Sequence, residues 1–156
     1  MDKSIELAAL IRCLGDTDDP MNQLVRFHSL TELYLDALIS RSQSASSDMP
    51  RNGFVSYSRK LKVVEKNVLI SPFLCESLKA LTAIRNELSH NPFAYVSDET
   101  LNNIVRPFPE RVRRVRNALP DEKLSPRQMA MVVFIELTTY LWGKDEHAEM
   151  FANYSV

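Results

Sequence analysis

The chain has 156 residues, 45% of them hydrophobic and 25% charged, which suits one domain that buries a sizeable core. Its net charge of -1 excludes a globally basic nucleic-acid-binding protein, and its three isolated glycines exclude a phosphate-binding glycine-rich loop. No stretch is apolar for long enough to span a membrane, and residues 1–16 lack the pattern of a signal peptide. The sequence therefore predicts a single cytoplasmic domain over residues 1–156 with no membrane partner.

Helical spacing of the apolar residues dominates the sequence, and no segment alternates in the manner of a strand. A side-chain cap followed by proline marks three helix starts, at Asp19-Pro20, Ser71-Pro72 and Ser125-Pro126. The Ser-rich, helix-breaking residues 42–53 predict a flexible loop. Segments with helical spacing lie at residues 2–14, 20–41, 54–67, 71–90, 97–105, 110–119 and 129–142 and in the acidic tail. Together they predict an all-α bundle of about six helices.

The segment 71–90 carries the main chemical signal. Its apolar row consists of Leu74, Leu78, Leu81, Ile84 and Leu88. The spacing places Arg85 in or beside this row, and a buried guanidinium is costly without a partner. We therefore expect Arg85 to face a carboxylate, a cleft or a second subunit. Glu32 and Asp36, one turn apart in the segment 20–41, are the candidate carboxylates.

The second residue of interest is His90, which closes the same segment. Pro92 disfavours helical geometry at Asn91, so the helix should end there. A five-residue step on a regular helix is about 140°, so Arg85 and His90 diverge unless the last turn loosens or a second copy contributes. The alternative is structural: Arg85 is satisfied by an acid, and His90 is a C-terminal cap that the helix dipole favours.

Two basic stretches predict contacts with phosphate. Residues 51–120 carry twelve Lys and Arg against six Asp and Glu, whereas the flanks together carry seven against fourteen. The cations that we assign to an RNA-binding surface are Arg111, Arg113, Arg114, Arg116, Lys60 and Lys62. Such a surface binds RNA with a strong salt dependence. The alternative is a solvated charged face that the acidic tail balances.

The remaining reactive side chains give weaker signals. Cys13 and Cys75 have no metal-ligand spacing, so we expect reduced core thiols, no metal site and no cofactor. His28 lies among apolar residues and predicts a core or interface histidine with its hydrogen bonds satisfied. Trp142 is expected in the core or in a dimer contact rather than stacked on a nucleic-acid base.

The segment Leu-x-x-Ile-Arg-Asn-Glu-Leu-Ser-His follows a long helix with an acidic residue and a basic Phe…Lys-Leu-Lys helix. In this it resembles the HEPN superfamily of small helical bundles, over about residues 24–104. In more detail it looks like the branch that includes the mannitol operon repressor family. The superfamily signature is an arginine, four to six residues and a histidine, often with a polar residue after the arginine; Arg85, Asn86 and His90 match it. No tyrosine directly follows His90, and in this the motif departs from that of the toxin members.

The resemblance implies an HEPN-like bundle and a catalytic role for the motif. Many members are metal-independent ribonucleases, frequently toxins of toxin–antitoxin or other defence systems, and they act as dimers with facing motifs. His90 would then serve as general acid or base on the ribose 2′-hydroxyl or the leaving 5′-oxygen, because an imidazole exchanges protons near neutral pH. Arg85 would hold the scissile phosphate, and Asn86 would orient the imidazole or the phosphate.

The resemblance also implies partners. These are a second copy, bound through the surface around residues 80–95, an RNA substrate, and an antitoxin or another protein. The repressor branch instead implies a non-catalytic regulator or protein-interaction module. The sequence alone leaves both functions open.

Overall fold

The computed structural model describes residues 19–118, 120 and 123–142 of the chain. All regular structure in these residues is helical, which confirms the prediction of an all-α bundle. The helices are α1 (Pro20–Arg41), α2 (Gln43–Ser47), α3 (Tyr57–Lys66), α4 (Pro72–His90), α5 (Asp98–Val105), α6 (Pro109–Ala118) and α7 (Pro126–Trp142). The helix predicted at residues 2–14, Cys13 and the acidic tail lie outside the described residues.

Side-chain caps fix where the helices begin, as the sequence predicts. Asp19 Oδ1 accepts a hydrogen bond from the backbone N–H of Met21 at 3.0 Å and so starts α1. Ser71 Oγ accepts from the N–H of Leu74 at 3.1 Å and starts α4. Before α7, the Ser125 and Gln128 side chains each accept from the backbone N–H of the other, a capping box.

The long helix α1 is the centre of the bundle. It packs against α7, α3, α4 and α2, and its residues Leu24, Phe27 and Leu35 are fully buried. The Tyr34 and Phe134 rings meet edge to face with their centroids 5.3 Å apart, which ties α1 to α7. No helix in the described ranges is both long and apolar enough to cross a membrane.

The Ser-rich segment differs from its prediction. The expectation that residues 42–53 form a helix-breaking loop is wrong at Gln43–Ser47, which is the helix α2. Ser42 caps this helix, and Ala45 is fully buried in the core. After α2, the Asp48 carboxylate accepts hydrogen bonds from Lys66 and Asn67 at the end of α3, and these bonds hold the pKa of the Asp48 carboxyl below its ordinary value. Tertiary contacts thus order a segment whose composition is typical of loops.

The end of α3 contains a strained residue. Val68 has a φ of 53°, the left-handed region that a β-branched residue rarely adopts. It follows the C-cap Asn67, and the N–H of Leu69 donates to the carbonyl of Val64 at 2.9 Å, which is the Schellman pattern that favours glycine at this position. The Val68 side chain is 80% exposed, so little burial compensates the strain.

We expect Val68→Gly to raise the free energy of unfolding by about 1 kcal/mol. Glycine removes the left-handed penalty of an L-residue, about 1–2 kcal/mol, and loses somewhat less through the entropy of the unfolded chain. Urea denaturation followed by circular dichroism measures the change. Gly53, with a φ of 101° and open space where a Cβ would lie, is the matched reverse case, and Gly53→Val should destabilise. Val68→Gly that leaves stability unchanged or lower would contradict this account of the strain.

Candidate functional site

Arg85 lies at the edge of the buried row of α4, near the end of the helix. Arg85 is half-buried, and its Nη1 donates a hydrogen bond to Asn86 Oδ1 at 3.0 Å. Among the described residues, no carboxylate lies within salt-bridge distance of the guanidinium. The positive charge of Arg85 is therefore not neutralised by a carboxylate of this part of the chain and is available to an external anion.

The two acids that we considered as partners of Arg85 bind a different cation. Lys60 Nζ donates to Glu32 Oε1 at 2.9 Å and to Asp36 Oδ2 at 2.8 Å. The Lys60 side chain is only 12% exposed. Desolvation opposes its charge, but the hydrogen bonds and charges of Asp36 and Glu32 outweigh desolvation and raise the pKa of Lys60. Lys60 thus joins α3 to α1, whereas Lys62 on the same helix is exposed.

His90 is exposed and is the last residue of α4. The backbone N–H of Asn91 donates to the carbonyl of Glu87 at 2.9 Å, so the helix stays regular to its end. Over a regular helix the side chains of Arg85 and His90 diverge by about 140°. Asn86, four residues before His90, shares its face. Within one chain, Arg85 is therefore hydrogen-bonded to Asn86, whereas the side chains of Arg85 and His90 point to different sides of α4.

The arginines of α6 divide into paired and unpaired residues. Val112 is buried and Val115 packs against the core, so this side of α6 faces the bundle. Arg111 Nε donates to Glu136 of α7 at 2.7 Å, and Arg113 pairs with Glu110. Arg114 and Arg116 are exposed and have no carboxylate partner among the described residues. These two arginines keep the charge that an RNA-binding surface requires.

A buried hydrogen-bond network beside Arg85 joins α1, α3 and α4, and the sequence did not predict it. His28 Nε2 lies 3.2 Å from Thr82 Oγ1, whose own hydroxyl donates to the carbonyl of Leu78 at 2.7 Å. Because Thr82 donates its one hydroxyl proton to Leu78, its oxygen accepts from His28, and the proton in that bond belongs to His28 Nε2. In the same way Thr31 donates to the carbonyl of His28, and the Tyr57 hydroxyl donates to Thr31 Oγ1 at 2.9 Å.

Burial keeps the imidazole of His28 neutral. Its ring stacks on Tyr57 with centroids 4.1 Å apart, and burial is the main cause that lowers the pKa of His28 to about 4. The charge of Arg85 lowers this pKa further, while Glu32 acts in the opposite direction. The prediction of a core histidine with satisfied hydrogen bonds is confirmed. Its place beside Arg85 arises from the packing of α1 on α4, which no local sequence signal reveals.

Two shallow cavities open on other parts of the described surface. One, of about 370 Å³, is lined by Pro72, Phe73, Glu76, Arg106 and Pro107. The other, of about 380 Å³, is lined by Asp98, Asn102, Arg116, Lys123 and Leu124. Neither includes a residue of the Arg85–His90 motif, which lies on the open end of α4. The second cavity does include Arg116, one of the unpaired arginines of α6.

Comparisons of the chain with protein-family models, with curated proteins and with solved structures found no match. The described residues also contain no group of three or more His, Cys, Asp or Glu that could hold a metal ion. Burial raises the pKa of the Cys75 thiol to about 11, so this cysteine is an inert core residue. The functional assignment therefore depends on the chemistry of the motif and its surroundings.

The two lysines of α3 should differ in their effect on stability. Lys60→Gln leaves Glu32 and Asp36 without their shared cation, so we expect the free energy of unfolding to fall by about 1 kcal/mol. Lys62→Gln changes an exposed residue and should alter stability by less than about 0.5 kcal/mol. Urea denaturation of both variants measures the difference. Equal effects would show that the Lys60 ion pairs contribute nothing to the fold.

His28→Gln should reduce the acid sensitivity of the fold. The unfolded imidazole binds a proton near pH 6.5, whereas the folded one resists protonation until about pH 4. Wild-type stability therefore falls as the pH drops through this window, by at most about 3 kcal/mol from this residue. Glutamine can donate to Thr82 but does not titrate, so the stability difference between wild type and variant should shrink toward pH 4. Urea denaturation across the window measures it, and a difference independent of pH would contradict the assignment.

Proposed function

We propose that this protein is a metal-independent endoribonuclease of the HEPN type, whose catalytic residues are Arg85, Asn86 and His90. The observation that carries the proposal is Arg85, a half-buried residue whose guanidinium no described carboxylate neutralises. A structural arginine at the edge of a core is expected to pair with an acid. Here Glu32 and Asp36, the two acids expected as its partners, are bound to Lys60 instead.

The motif residues supply the groups that RNA cleavage needs. The ribose 2′-hydroxyl attacks the adjacent phosphorus, and the bond from phosphorus to the 5′-oxygen breaks. The products are a 2′,3′-cyclic phosphate and a 5′-hydroxyl, so no water is consumed in this step. His90 takes the proton from the 2′-hydroxyl or gives one to the departing 5′-oxygen, and Arg85 stabilises the added negative charge on the phosphate.

Asn86 connects these roles. Its Oδ1 accepts from Arg85, and Asn86 lies one turn before His90 on the same side of α4. The amide can therefore hold the guanidinium in place and donate to a phosphate oxygen or to the ring. Truncation of Asn86 should weaken catalysis through misplacement of Arg85 rather than through loss of charge.

A second copy of the chain belongs to the proposal. Because α4 is regular to its end, Arg85 and His90 of one chain point to different sides. A homodimer with facing α4 ends, through the surface around residues 80–95, would place Arg85 of one chain opposite His90 of the other. Exposed cations without a described carboxylate partner, namely Lys62, Arg114 and Arg116, would supply sequence-independent phosphate contacts.

Purified protein should cleave RNA in the presence of EDTA and leave cyclic-phosphate ends. We expect Arg85→Ala and His90→Ala each to lower kcat about 100-fold or more, because each removes a transition-state contact or a proton-transfer group. Gel analysis of a labelled transcript measures the rate, and Ser89→Ala, beside His90 but outside the motif, is the matched control. Variants that cut RNA as fast as wild type would refute the proposal.

Mixing the two inactive variants tests the composite site. If Arg85 and His90 act across a dimer, a mixed dimer of Arg85→Ala and His90→Ala chains retains one intact site. Random exchange should then restore about a quarter of the wild-type activity. No recovery, with mass measurements that show exchanged dimers, would place both residues of each site in one chain.

The second candidate function is a non-catalytic regulator or protein-interaction module. The observation that favours it is the open position of the motif, which lies outside both described cavities. A protein partner would then bind the α4 end directly. Purified protein that leaves RNA intact in EDTA, forms a stable dimer and captures a specific protein through Arg85 would support this function over the ribonuclease.

A further inference from the structure

The connection between α2 and α3 presents the dipeptide Asn52-Gly53 to solvent. Residues 51–54 are all exposed and belong to no helix. Among the described residues, none makes a hydrogen bond with the Asn52 side chain or with the backbone N–H of Gly53. The connection is held only near its ends, by the Asp48 carboxylate before the dipeptide and by the Ser56 cap of α3 after it. No described contact therefore fixes the backbone at Asn52.

The conformation of Gly53 leaves its backbone nitrogen accessible. Its φ is 101°, which a residue with a side chain rarely adopts. Apart from its chain neighbours, no atom lies within 4 Å of the position that a Cβ would take. Ring closure at an asparagine requires that the nitrogen of the next residue approach the side-chain carbonyl carbon. At Gly53, neither a substituent on its own Cα nor a packed neighbour opposes this approach.

We propose that Asn52 is a site of spontaneous deamidation. The Gly53 nitrogen attacks Cγ of Asn52, and the bond from Cγ to Nδ2 breaks. The side-chain nitrogen leaves as ammonia with the proton of the Gly53 N–H, and a succinimide ring remains. Water then opens the ring, and no other reactant is consumed. Cleavage between the nitrogen and Cγ gives aspartate at position 52, whereas cleavage at the main-chain carbonyl carbon gives isoaspartate.

The other asparagines of the described residues lack these features. Asn67 donates from Nδ2 to Asp48 and to the carbonyl of Val63, and its next residue, Val68, is β-branched and crowds its own nitrogen. Asn91 precedes a proline, whose nitrogen carries no proton to transfer to the departing ammonia. The remaining ones lie in helices, where hydrogen bonds fix the backbone: Asn22, Asn86, Asn102, Asn103 and Asn117.

Deamidation would change the surface of the chain without disrupting its core. Either product adds a negative charge to the connection between α2 and α3, and isoaspartate also routes the main chain through the side-chain carbon. Because Asn52 and Gly53 are exposed and outside the hydrophobic core, we expect the modified chain to unfold at the same urea concentration as the unmodified one. The reaction uses no residue of the Arg85–His90 motif and does not depend on the proposed function.

Incubation of the full chain in mildly alkaline buffer tests the site. Digestion under acidic conditions, which stop the reaction, and mass spectrometry then locate each converted asparagine. We expect Asn52 to convert at least about tenfold faster than Asn67, and Gly53→Ala to slow conversion at position 52 about tenfold, because the added methyl group crowds the nitrogen and restricts φ. Asn52→Gln is the matched control, since its longer side chain closes a larger ring slowly and should yield no acid in the same time.

A comparison of the folded chain with the chain unfolded in urea isolates the contribution of the structure. If the connection is as open as its contacts indicate, position 52 converts in the folded chain within about tenfold of its rate in urea, while the asparagines in helices are protected until the chain unfolds. Conversion at Asn52 that is no faster than at Asn67, or that Gly53→Ala leaves unchanged, would overturn the proposal. So would a folded chain that converts more than about tenfold more slowly than the unfolded one, since the connection would then be closed.

Discussion

The junction of α1, α3 and α4 lies beside Arg85 and is held by hydrogen bonds between the three helices. His28 donates to Thr82 and stacks on Tyr57, so three helices meet around one neutral imidazole. Thr82 is three residues before Arg85 on α4, so this hydrogen bond acts together with the buried apolar row to hold the rotation of the helix that carries the guanidinium. A charged imidazole here would place a second cation near Arg85, and burial prevents it. The junction thus combines a structural role with control of the electrostatics of the motif.

The pairing of charges within the chain decides which cations are free, and the sequence could not show this. A count of basic residues treats Lys60, Lys62 and Arg111 alike. In the structure, Lys60 binds two acids of α1 and Arg111 binds Glu136, whereas Lys62 is exposed. The difference depends on the distance between helices that are far apart in sequence. Knowledge of which helices are neighbours is therefore required before a basic stretch can be assigned to phosphate.

The fold was more predictable than the site, because capping and periodicity act over one turn. The start of α4 at Ser71 and its end before Pro92 follow from the residues themselves. The helix α2 was missed since serine-rich composition favours loops, and only the burial of Ala45 and the cap at Ser42 override that preference. Likewise, Glu32 and Asp36 are the candidate partners of Arg85 because they are the acids of the long segment 20–41, but nothing local indicates that Lys60 of α3 binds them.

The regular geometry of α4 limits what one chain can do with its motif. Proton transfer needs a donor and an acceptor within about 3 Å, and a phosphate held by Arg85 lies on a different side of the helix from His90 of the same chain. In the proposed dimer, two facing helix ends would bring each guanidinium opposite the other chain's imidazole.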